Sequence, residues 1–217
     1  MEFGKVTLIL RGYNYKQIKN ICEVLLSGKY IKNLEITLNS DNPYTVIEKI
    51  SKEYSDELNI GAGTVITFDQ LRKAHKSGAK FALSPIKMST DMLDYCKDNN
   101  IISIPGAYSP SEIKEMHDLG ANIIKVFPSN ELSLSYAKKV KEPLGDEINL
   151  MAVGGINKDN VGEAFRGGYD YVGSAGGIFA KKNILDQNIE KLTYDLQQFE
   201  KQLDIYYQNM EENKWKY

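Results

Sequence analysis

Short runs of apolar and β-branched residues alternate along the chain with longer stretches in which apolar and charged residues recur at helical spacing. A strand followed by a helix, repeated many times, is the pattern of βα units and of a parallel sheet. Eight units in series favour a closed (β/α)8 TIM barrel, an α/β fold, over an open sheet. The predicted strands are Val6–Leu10, Asn33–Leu38, Ile60–Thr64, Phe81–Ser84, Ile101–Ile104, Asn122–Val126, Asn149–Val153 and Tyr169–Val172.

The predicted helices carry start and stop signals. Ser109-Pro110-Ser111-Glu112 combines an N-cap serine, a proline in the first turn and a glutamate that can bond back to the cap, so we expect a helix to begin there. Gly120 is expected to end that helix, and Gly78 and Gly167-Gly168 are expected to end two others.

The C-terminal part differs from the βα units. We expect a long amphipathic helix over 185–217, because apolar residues recur there at spacings of three and four. This helix can pack its apolar stripe on the barrel, or its far end, Tyr206 to Tyr217, can form a contact between subunits. The stripe consists of Ile189, Leu192, Leu196, Phe199, Leu203 and Met210.

Length and composition fit one globular domain. The chain has 217 residues, of which 42% are hydrophobic and 26% charged, and its formal net charge is -2. These values exclude a disordered chain and a disulfide scaffold, and no Pro-rich or Ser-rich linker divides the chain, so we expect residues 1–217 to form a single barrel domain. Basic residues are scattered, which argues against a nucleic-acid or membrane partner and favours a small molecule.

Cysteine and histidine positions argue against a metal site. Cys22 and Cys96 form no CxxC pair and are expected to be buried, reduced thiols. His75 and His117 lie in predicted helices without another histidine at ligand spacing. The apolar run Val6–Leu10 is too short for a secretory signal, and no run approaches the length of a membrane helix, so we expect a cytoplasmic protein.

Two ionisable residues interrupt otherwise apolar strands, namely Glu35 and Lys125. Strands of a parallel barrel are buried on both faces, so a charge within one is costly unless it is paired or used. Burial lowers the pKa of a lysine, and the free amine can then form a Schiff base with a ketone while a nearby glutamate moves protons. The alternative is a buried Lys–Glu ion pair that stabilises the barrel, and the spacing does not separate the two.

Glycine-rich turns follow the last two predicted strands. Gly154-Gly155 and Gly173 to Gly177 stand where (β/α)8 barrels bind phosphate through backbone N–H groups, although single glycine turns are also common in loops. Gly61 to Thr64 lacks the third glycine of a dinucleotide fingerprint and the lysine of a P-loop, so no nucleotide cofactor is expected. Arg11 ends the first strand and can bind a carboxylate, or it can be a solvated charge at the rim.

Taken together, these segments give the chain a clear family likeness. In order and spacing, the sequence from Arg11 to about Phe179 resembles the KDPG/KHG aldolases. The segments that carry the resemblance are Leu34-Glu35-Ile36-Thr37, Gly61-Ala62-Gly63-Thr64-Val65, Phe81-Ala82-Leu83-Ser84-Pro85, Pro105-Gly106, Ser109-Pro110-Ser111-Glu112, Lys125-Val126-Phe127-Pro128 and Gly154-Gly155-Ile156.

The resemblance implies a homotrimeric (β/α)8 barrel and a metal-free class I aldolase that needs no cofactor. Such enzymes cleave 2-keto-3-deoxy-6-phospho sugar acids to pyruvate and glyceraldehyde 3-phosphate, and some also cleave 4-hydroxy-2-oxoglutarate to pyruvate and glyoxylate. It makes Lys125 the Schiff-base lysine and Glu35 the general acid and base, with Arg11 near the substrate carboxylate. The other residues implied are Thr64, Pro85 and Phe127 for the pyruvyl pocket, and Gly154, Gly155, Gly173 and Ser174 for the phosphate.

Two departures concern the choice of sugar epimer. Many gluconate-type members have Leu-Arg-Thr where this chain has Leu38-Asn39-Ser40, so Arg11 and backbone groups are left to bind the carboxylate. They also have a threonine where this chain has Val153, which removes a hydroxyl that could distinguish epimers by a hydrogen bond. Both segments are more similar to the galactonate-type branch, the KDPGal aldolases, and the epimer stays open.

Two other functions are compatible with the phosphate-type loops. The first is a barrel isomerase or phosphate-transferring enzyme that uses Glu35 as a base without covalent chemistry. The second is a non-catalytic protein that binds a sugar phosphate. Neither requires a lysine inside the sixth predicted strand, which is why the aldolase ranks above both.

Overall fold

The computed structural model describes residues 2–214, and these form the predicted (β/α)8 barrel with a long C-terminal helix. The strands are β1 (Val6–Leu10), β2 (Ile31–Thr37), β3 (Asn59–Gly63), β4 (Phe81–Leu83), β5 (Ile102–Ile104), β6 (Gly106–Ala107), β7 (Ile124–Val126), β8 (Leu150–Val153) and β9 (Tyr171–Ser174). The helices are α1 (Tyr15–Leu26), α2 (Pro43–Tyr54), α3 (Phe68–Lys76), α4 (Thr90–Asp98), α5 (Pro110–Asp118), α6 (Tyr136–Leu144), α7 (Val161–Arg166), α8 (Lys181–Leu185) and α9 (Ile189–Lys214). A short 3-10 helix covers Ser129–Glu131.

The strands pair in the order β5-β4-β3-β2-β1-β9-β8-β7-β6, and every pair is parallel. Only Pro105 separates β5 from β6, so these two segments correspond to one of the eight predicted strands. The amides of Ile123 and Lys125 donate to the carbonyls of Ser103 and Pro105, at 3.2 and 2.8 Å. Hydrogen bonds from the segment that contains β7 therefore reach the chain on both sides of the β5–β6 junction, and they bring the ring of strands nearly to closure.

Apolar side chains form two layers, one inside the barrel and one between the barrel and the helices. The inner layer closes the barrel axis, so that the ring is a packed core and not a pore. Its buried members are Ile9, Phe81, Leu83, Ile104, Ile123, Met151 and Val153.

A buried polar network lies at the amino-terminal end of the strands and forms the floor of the barrel. The side-chain amide of Asn33 donates to Thr7 Oγ1 at 3.3 Å and to the Gly4 carbonyl at 2.7 Å, and its Oδ1 accepts from Asn59 Nδ2 at 3.0 Å. Phe3 belongs to the same N-terminal segment as Gly4, and its ring packs on the ring of Phe81. Residues just ahead of β1 therefore close this end of the barrel.

The C-terminal helix begins later than the expected residue 185. A separate short helix, α8, ends at Leu185, and Gln187 then adopts a left-handed conformation with φ of 52°. Asn188 caps the new helix, because its side chain accepts from the Lys191 amide at 3.0 Å. The expected end of the helix, residues 215–217, lies outside the described residues.

The predicted apolar stripe of α9 is buried only in its middle. Leu192, Leu196, Phe199 and Leu203 are buried, whereas the two ends of the predicted stripe, Ile189 and Met210, are exposed by 43% and 41%.

The two tyrosines that interrupt the stripe pack against the barrel. The ring of Tyr206 lies 5.3 Å from that of Phe165, and the ring of Tyr207 stacks on Tyr30 at 5.3 Å. For these two residues the structure agrees with the interpretation that α9 packs on its own barrel.

The structure also describes the two cysteines and the apolar character of the helices. Cys22 and Cys96 are buried free thiols, as predicted. Among residues 2–214, no helix combines the length and the apolar character needed to cross a membrane.

Candidate active site

Lys125 and Glu35 both point into the barrel. Lys125 is the middle residue of β7, and its neighbours in the alternating pattern, Ile123 and Phe127, belong to the inner layer. Leu34 and Ile36 flank Glu35 in β2 and pack in the outer layer under the helices, so the Glu35 side chain faces the axis. Both residues are almost completely buried, with 6% exposure for Lys125 and 2% for Glu35.

The carboxyl group of Glu35 is held in an environment that disfavours its charge. Oε2 is buried without a hydrogen-bond partner. Burial raises the pKa of Glu35 to about 7, and the positive charges of Lys125 and Arg11 oppose this rise. A carboxyl group with a pKa near neutrality can both donate and accept a proton at physiological pH.

The amine of Lys125 is also held in an environment that disfavours its charge. Burial lowers its pKa, the charge of Arg11 lowers it further, and the charge of Glu35 opposes both effects. Its Nζ lies 4.5 Å from the centre of the Phe127 ring. Within residues 2–214 no ion pair joins Lys125 to Glu35, so the geometry does not support the alternative of a structural ion pair.

Two glycines of β3 make room inside the barrel. A Cβ at Gly63 would overlap the carboxylate of Glu35, and a Cβ at Gly61 would overlap the Phe81 ring. The segment Gly61 to Thr64 thus leaves space for the side chains of Glu35 and Phe81. From the sequence, a nucleotide site was excluded there, but this role was not predicted. The signal available in the sequence was two glycines at an interval of two, which share one face of a strand.

A cavity of about 390 Å³ opens at the carboxyl ends of the strands, and six of the eleven predicted site residues line its wall. This is the end at which barrels of this kind carry their active sites. The predicted residues in its wall are Arg11, Lys125, Phe127, Val153, Gly154 and Gly155. Of the remaining wall residues, Ala175, Gly176 and Gly177 belong to the glycine-rich turn that was expected at the phosphate position, whereas Ile9, Ile156 and Asn157 were not predicted.

Thr64 and Pro85 lie at the carboxyl ends of neighbouring strands but outside the wall of this cavity. Thr64 is half-buried and has a φ of 58°, an uncommon conformation for a threonine that is typical of constrained functional positions. Pro85 lines a separate depression of about 370 Å³, and Phe127 belongs to the walls of both. Phe127 therefore connects the two groups of predicted residues.

Gly173 and Ser174 are buried in β9 and do not line the cavity. The hydroxyl of Ser174 donates to the Ile156 carbonyl at 2.7 Å and accepts from the Gly177 amide at 3.2 Å. These bonds join the loop after β8 to the loop after β9. The backbone that faces the cavity belongs instead to Ala175, Gly176 and Gly177.

A larger depression, of about 750 Å³, lies at the opposite end of the barrel between α6, α7 and α9. It includes Lys141, which is buried and forms an ion pair with Asp170 at 2.6 Å. Asp170 also accepts from the Leu150 amide at 2.8 Å, so its carboxylate joins α6 to two strands. Residues at this end of a barrel serve stability, and Lys141 differs from Lys125 in having a charged partner.

The described residues contain no group of three or more His, Cys, Asp or Glu side chains arranged to hold a metal ion. The expectation of a metal-free reaction stays a prediction.

Comparison with known proteins shows that the chain is similar to aldolases. The family model described as KDPG and KHG aldolase matches residues 1–194. The chain is 34% identical over 158 residues to the 2-dehydro-3-deoxy-phosphogluconate aldolase of Pseudoalteromonas atlantica, and the match covers 72% of each chain. It is 28% identical over 152 residues to the probable 2-dehydro-3-deoxy-6-phosphogalactonate aldolase of Rhizobium meliloti, covering 70% of this chain and 71% of the relative.

Solved structures show the same fold. A native KDPGal structure superposes with a TM-score of 0.80 at 20% identity, covering 94% of this chain and 98% of the other. The KDPG aldolase of Legionella pneumophila superposes with a TM-score of 0.74 at 27% identity, covering 89% and 92%. That crystal structure contains pyruvate captured at low pH as a covalent carbinolamine intermediate.

Proposed function

This chain belongs to the KDPG and KHG aldolase family, and from that premise we propose that it is a class I aldolase that cleaves a 2-keto-3-deoxy-6-phospho sugar acid. The products are pyruvate and glyceraldehyde 3-phosphate. The observation that carries the proposal is the pair of buried, unpaired groups on different strands: an amine with a lowered pKa on Lys125 and a carboxyl with a pKa of about 7 on Glu35.

Lys125 acts as the nucleophile. Its neutral amine adds to the C2 ketone to give a carbinolamine, and loss of water gives a Schiff base. The C3–C4 bond then breaks, its electrons move into the enamine of pyruvate, and the C4 hydroxyl loses its proton as the aldehyde forms. Protonation of the enamine carbon and addition of water release pyruvate and restore the amine.

Glu35 moves the protons that these steps require. As an acid it protonates the departing C2 hydroxyl, and as a base it accepts the proton of the C4 hydroxyl during cleavage. One group can perform both tasks because its pKa of about 7 keeps both protonation states populated near neutral pH. Its buried and unpartnered Oε2 agrees with a group reserved for a reacting molecule.

The cavity at the carboxyl ends of the strands binds the substrate. Arg11 binds the carboxylate, because its guanidinium is the cation of the cavity wall besides Lys125. Thr64, Pro85 and Phe127 enclose the pyruvyl part. The phosphate lies against the backbone of Gly154 and Gly155 and against the loop that follows β9, for which Gly173 and Ser174 provide the buried base.

Val153 favours the galactonate-type substrate over the gluconate-type substrate. Its isopropyl group lines the cavity and is 5% exposed, so the wall offers no hydroxyl at this position. Relatives of both types are similar to this chain, as the Rhizobium and Pseudoalteromonas aldolases show. A cleavage of 4-hydroxy-2-oxoglutarate to pyruvate and glyoxylate would use the same two groups.

The chain is also proposed to form one domain and to assemble as a homotrimer. Four large apolar side chains that follow the carboxyl ends of β3, β4 and β6 are exposed, three of them on loops and one at the first residue of α3, and such a group is typical of a contact surface. They are Ile66, Phe68, Ile86 and Tyr108, with exposures of 46%, 40%, 54% and 43%.

Trapping with borohydride tests the proposed chemistry. The protein is incubated with pyruvate, reduced with sodium borohydride, digested and examined by mass spectrometry. The peptide that contains Lys125 should gain a reduced pyruvyl group, whereas Lys141, a buried lysine with a charged partner, should stay unmodified. Lys125→Met should abolish both trapping and release of pyruvate in a coupled lactate dehydrogenase assay. An unmodified Lys125 together with an active Lys125→Met variant would refute the proposal.

A further inference from the structure

The connection between β1 and α1 carries Arg11 and is anchored at both of its ends. β1 ends at Leu10. The helix is capped by Asn14, whose side chain accepts from the Gln17 amide at 3.0 Å while Gln17 Oε1 accepts from the Asn14 amide at 2.9 Å. Gly12 lies between these two fixed points, and the orientation of the peptide bond that joins it to Arg11 helps to set the direction of the Arg11 side chain.

Little besides one hydrogen bond restrains Gly12. Its φ of 77° lies in the left-handed region, and apart from its two chain neighbours no described residue has a heavy atom within 4 Å of the position that a Cβ would take. Glycine has the largest conformational freedom of all residues, so an unanchored Gly12 would leave the connection mobile.

The anchor of Gly12 is the hydroxyl of Ser40, in the loop that follows β2. The Gly12 amide donates to Ser40 Oγ at 2.8 Å, and Ser40 Oγ lies 3.0 Å from Thr37 Oγ1. Thr37 is fully buried at the end of β2, and its backbone pairs with Gly63 of β3. The chain of contacts from Gly12 through Ser40 to Thr37 therefore ends in the rigid ring of strands.

Arg11 itself has no comparable support. Within the described part of the chain its guanidinium forms neither an ion pair nor a hydrogen bond, although it lines the cavity and its charge acts on both Glu35 and Lys125. Its position at the cavity depends on the backbone that carries it.

We propose that Ser40 is a positioning residue, oriented by Thr37, that holds the backbone of the Arg11 connection so that the guanidinium meets the substrate carboxylate. This inference rests on the proposed function, in which Arg11 binds that carboxylate. Because Ser40 holds Gly12 before the substrate binds, substrate binding does not carry the entropic cost of ordering this loop.

Substitution of Ser40 should change substrate binding more than the chemical step. The carboxylate is bound in the ground state as well as in the transition state, so Ser40→Ala should raise KM by about two- to tenfold, the effect of one neutral hydrogen bond, with a smaller change in kcat. Ser40→Thr keeps the hydroxyl and should restore KM. Thr37→Val keeps the shape but removes the partner of Ser40, and it should raise KM in the same direction. Ser27→Ala removes a hydroxyl that bonds to the Val24 carbonyl at the far end of α1 and serves as the control.

A double-mutant cycle with Arg11 distinguishes positioning from general support of the fold. In an Arg11→Ala background, Ser40→Ala should cause no further rise in KM, because the group that Ser40 positions is gone. Hydrogen exchange of the Gly12 amide should be faster in Ser40→Ala than in the wild type and in Ser40→Thr, a change that can be measured without substrate.

The outcomes separate this inference from the proposed function. If the wild type cleaves substrate and Ser40→Ala leaves KM unchanged, or raises it equally with and without Arg11, the positioning role is overturned and the aldolase stands. If the wild type cleaves neither epimer and traps no pyruvate, the proposed function fails and the inference fails with it.

Discussion

The carboxylate of Glu35 occupies the space that a side chain at residue 63 would need. Glu35 lies in β2 and Gly63 at the end of β3, and a Cβ built on Gly63 would overlap Oε1 of the glutamate. The Glu35 side chain therefore extends across β3, where Gly61 and Gly63 project only hydrogen atoms into the barrel. The position of the Glu35 carboxyl group depends on the absence of a side chain at Gly63, on a strand that supplies neither of the two proposed reacting residues.

Gly63→Ala tests this relationship. The added methyl group must displace Glu35, so we expect pyruvate release to fall sharply and the free energy of unfolding to fall by about 1–3 kcal/mol. Chemical denaturation and the coupled pyruvate assay measure the two effects. In the double variant Glu35→Ala/Gly63→Ala the overlap is gone, and stability should recover relative to Gly63→Ala alone. Unchanged stability in Gly63→Ala would contradict the observed contact.

Glu35→Gln tests the cost of the buried charge. Burial raises the pKa of Glu35 from 4.5 to about 7, so the native state holds its proton more tightly than the unfolded chain, and ionisation costs stability as the pH rises. The variant cannot ionise. Its free energy of unfolding should equal that of the wild type below about pH 4 and exceed it by up to about 3 kcal/mol above about pH 8. Denaturant unfolding across this range measures the difference.

The same variant should lose activity, because it cannot accept a proton. In the wild type, kcat/KM should bend near pH 7 as Glu35 titrates, and the residual rate of Glu35→Gln should lack that bend. A variant that is less stable than the wild type at high pH would show that the carboxylate has a stabilising partner in solution.

Val153→Thr tests the choice of epimer. The new hydroxyl would stand in the wall of the cavity, where it could bond to a substrate hydroxyl. We expect the ratio of kcat/KM for the gluconate-type to the galactonate-type substrate to rise by about tenfold, the effect of one well-placed hydrogen bond. The ratio is measured with both substrates on the same preparation, and an unchanged ratio would show that residue 153 does not discriminate.

Ile86→Glu tests the proposed assembly. The side chain is 54% exposed, so a charge there should leave the monomer folded while disrupting a subunit contact. Sedimentation velocity should give a trimer for the wild type and smaller species for the variant. Lys182→Glu, which places the same charge on the exposed surface of α8, is the control. A monomeric wild type would refute the trimer.

The alternation of apolar runs and helical stretches was sufficient to predict the barrel, because each βα unit repeats the same pattern of burial. The predicted strand Val6–Leu10 agrees with β1 at both ends. The start of α9 was predicted too early, since the turn at Gln187 depends on a left-handed backbone that periodicity does not reveal. Met210 was assigned to a buried stripe, but the described part of the barrel does not cover it.

The inward, buried positions of Lys125 and Glu35, the two proposed reacting residues, could be singled out because a charge in a buried strand is costly. Their surroundings could not, since Gly63 and Ser40 act through contacts with residues far away in the sequence, Glu35 and Gly12. The floor formed by Asn33 and Asn59 was missed for the same reason: asparagine in a strand carries no signal until its hydrogen-bond partners are known.

Pairing between the first and last strands has a consequence for how the chain is made. Val6 of β1 lies beside Val172 of β9, so β1 has one neighbouring strand missing until β9 has left the ribosome. Until then the growing sheet has an open edge that can pair with other chains. Nascent chains stalled before β9 should therefore aggregate or bind chaperones, and the cavity at the carboxyl ends of the strands can form only after β9 and the loop that follows it have emerged.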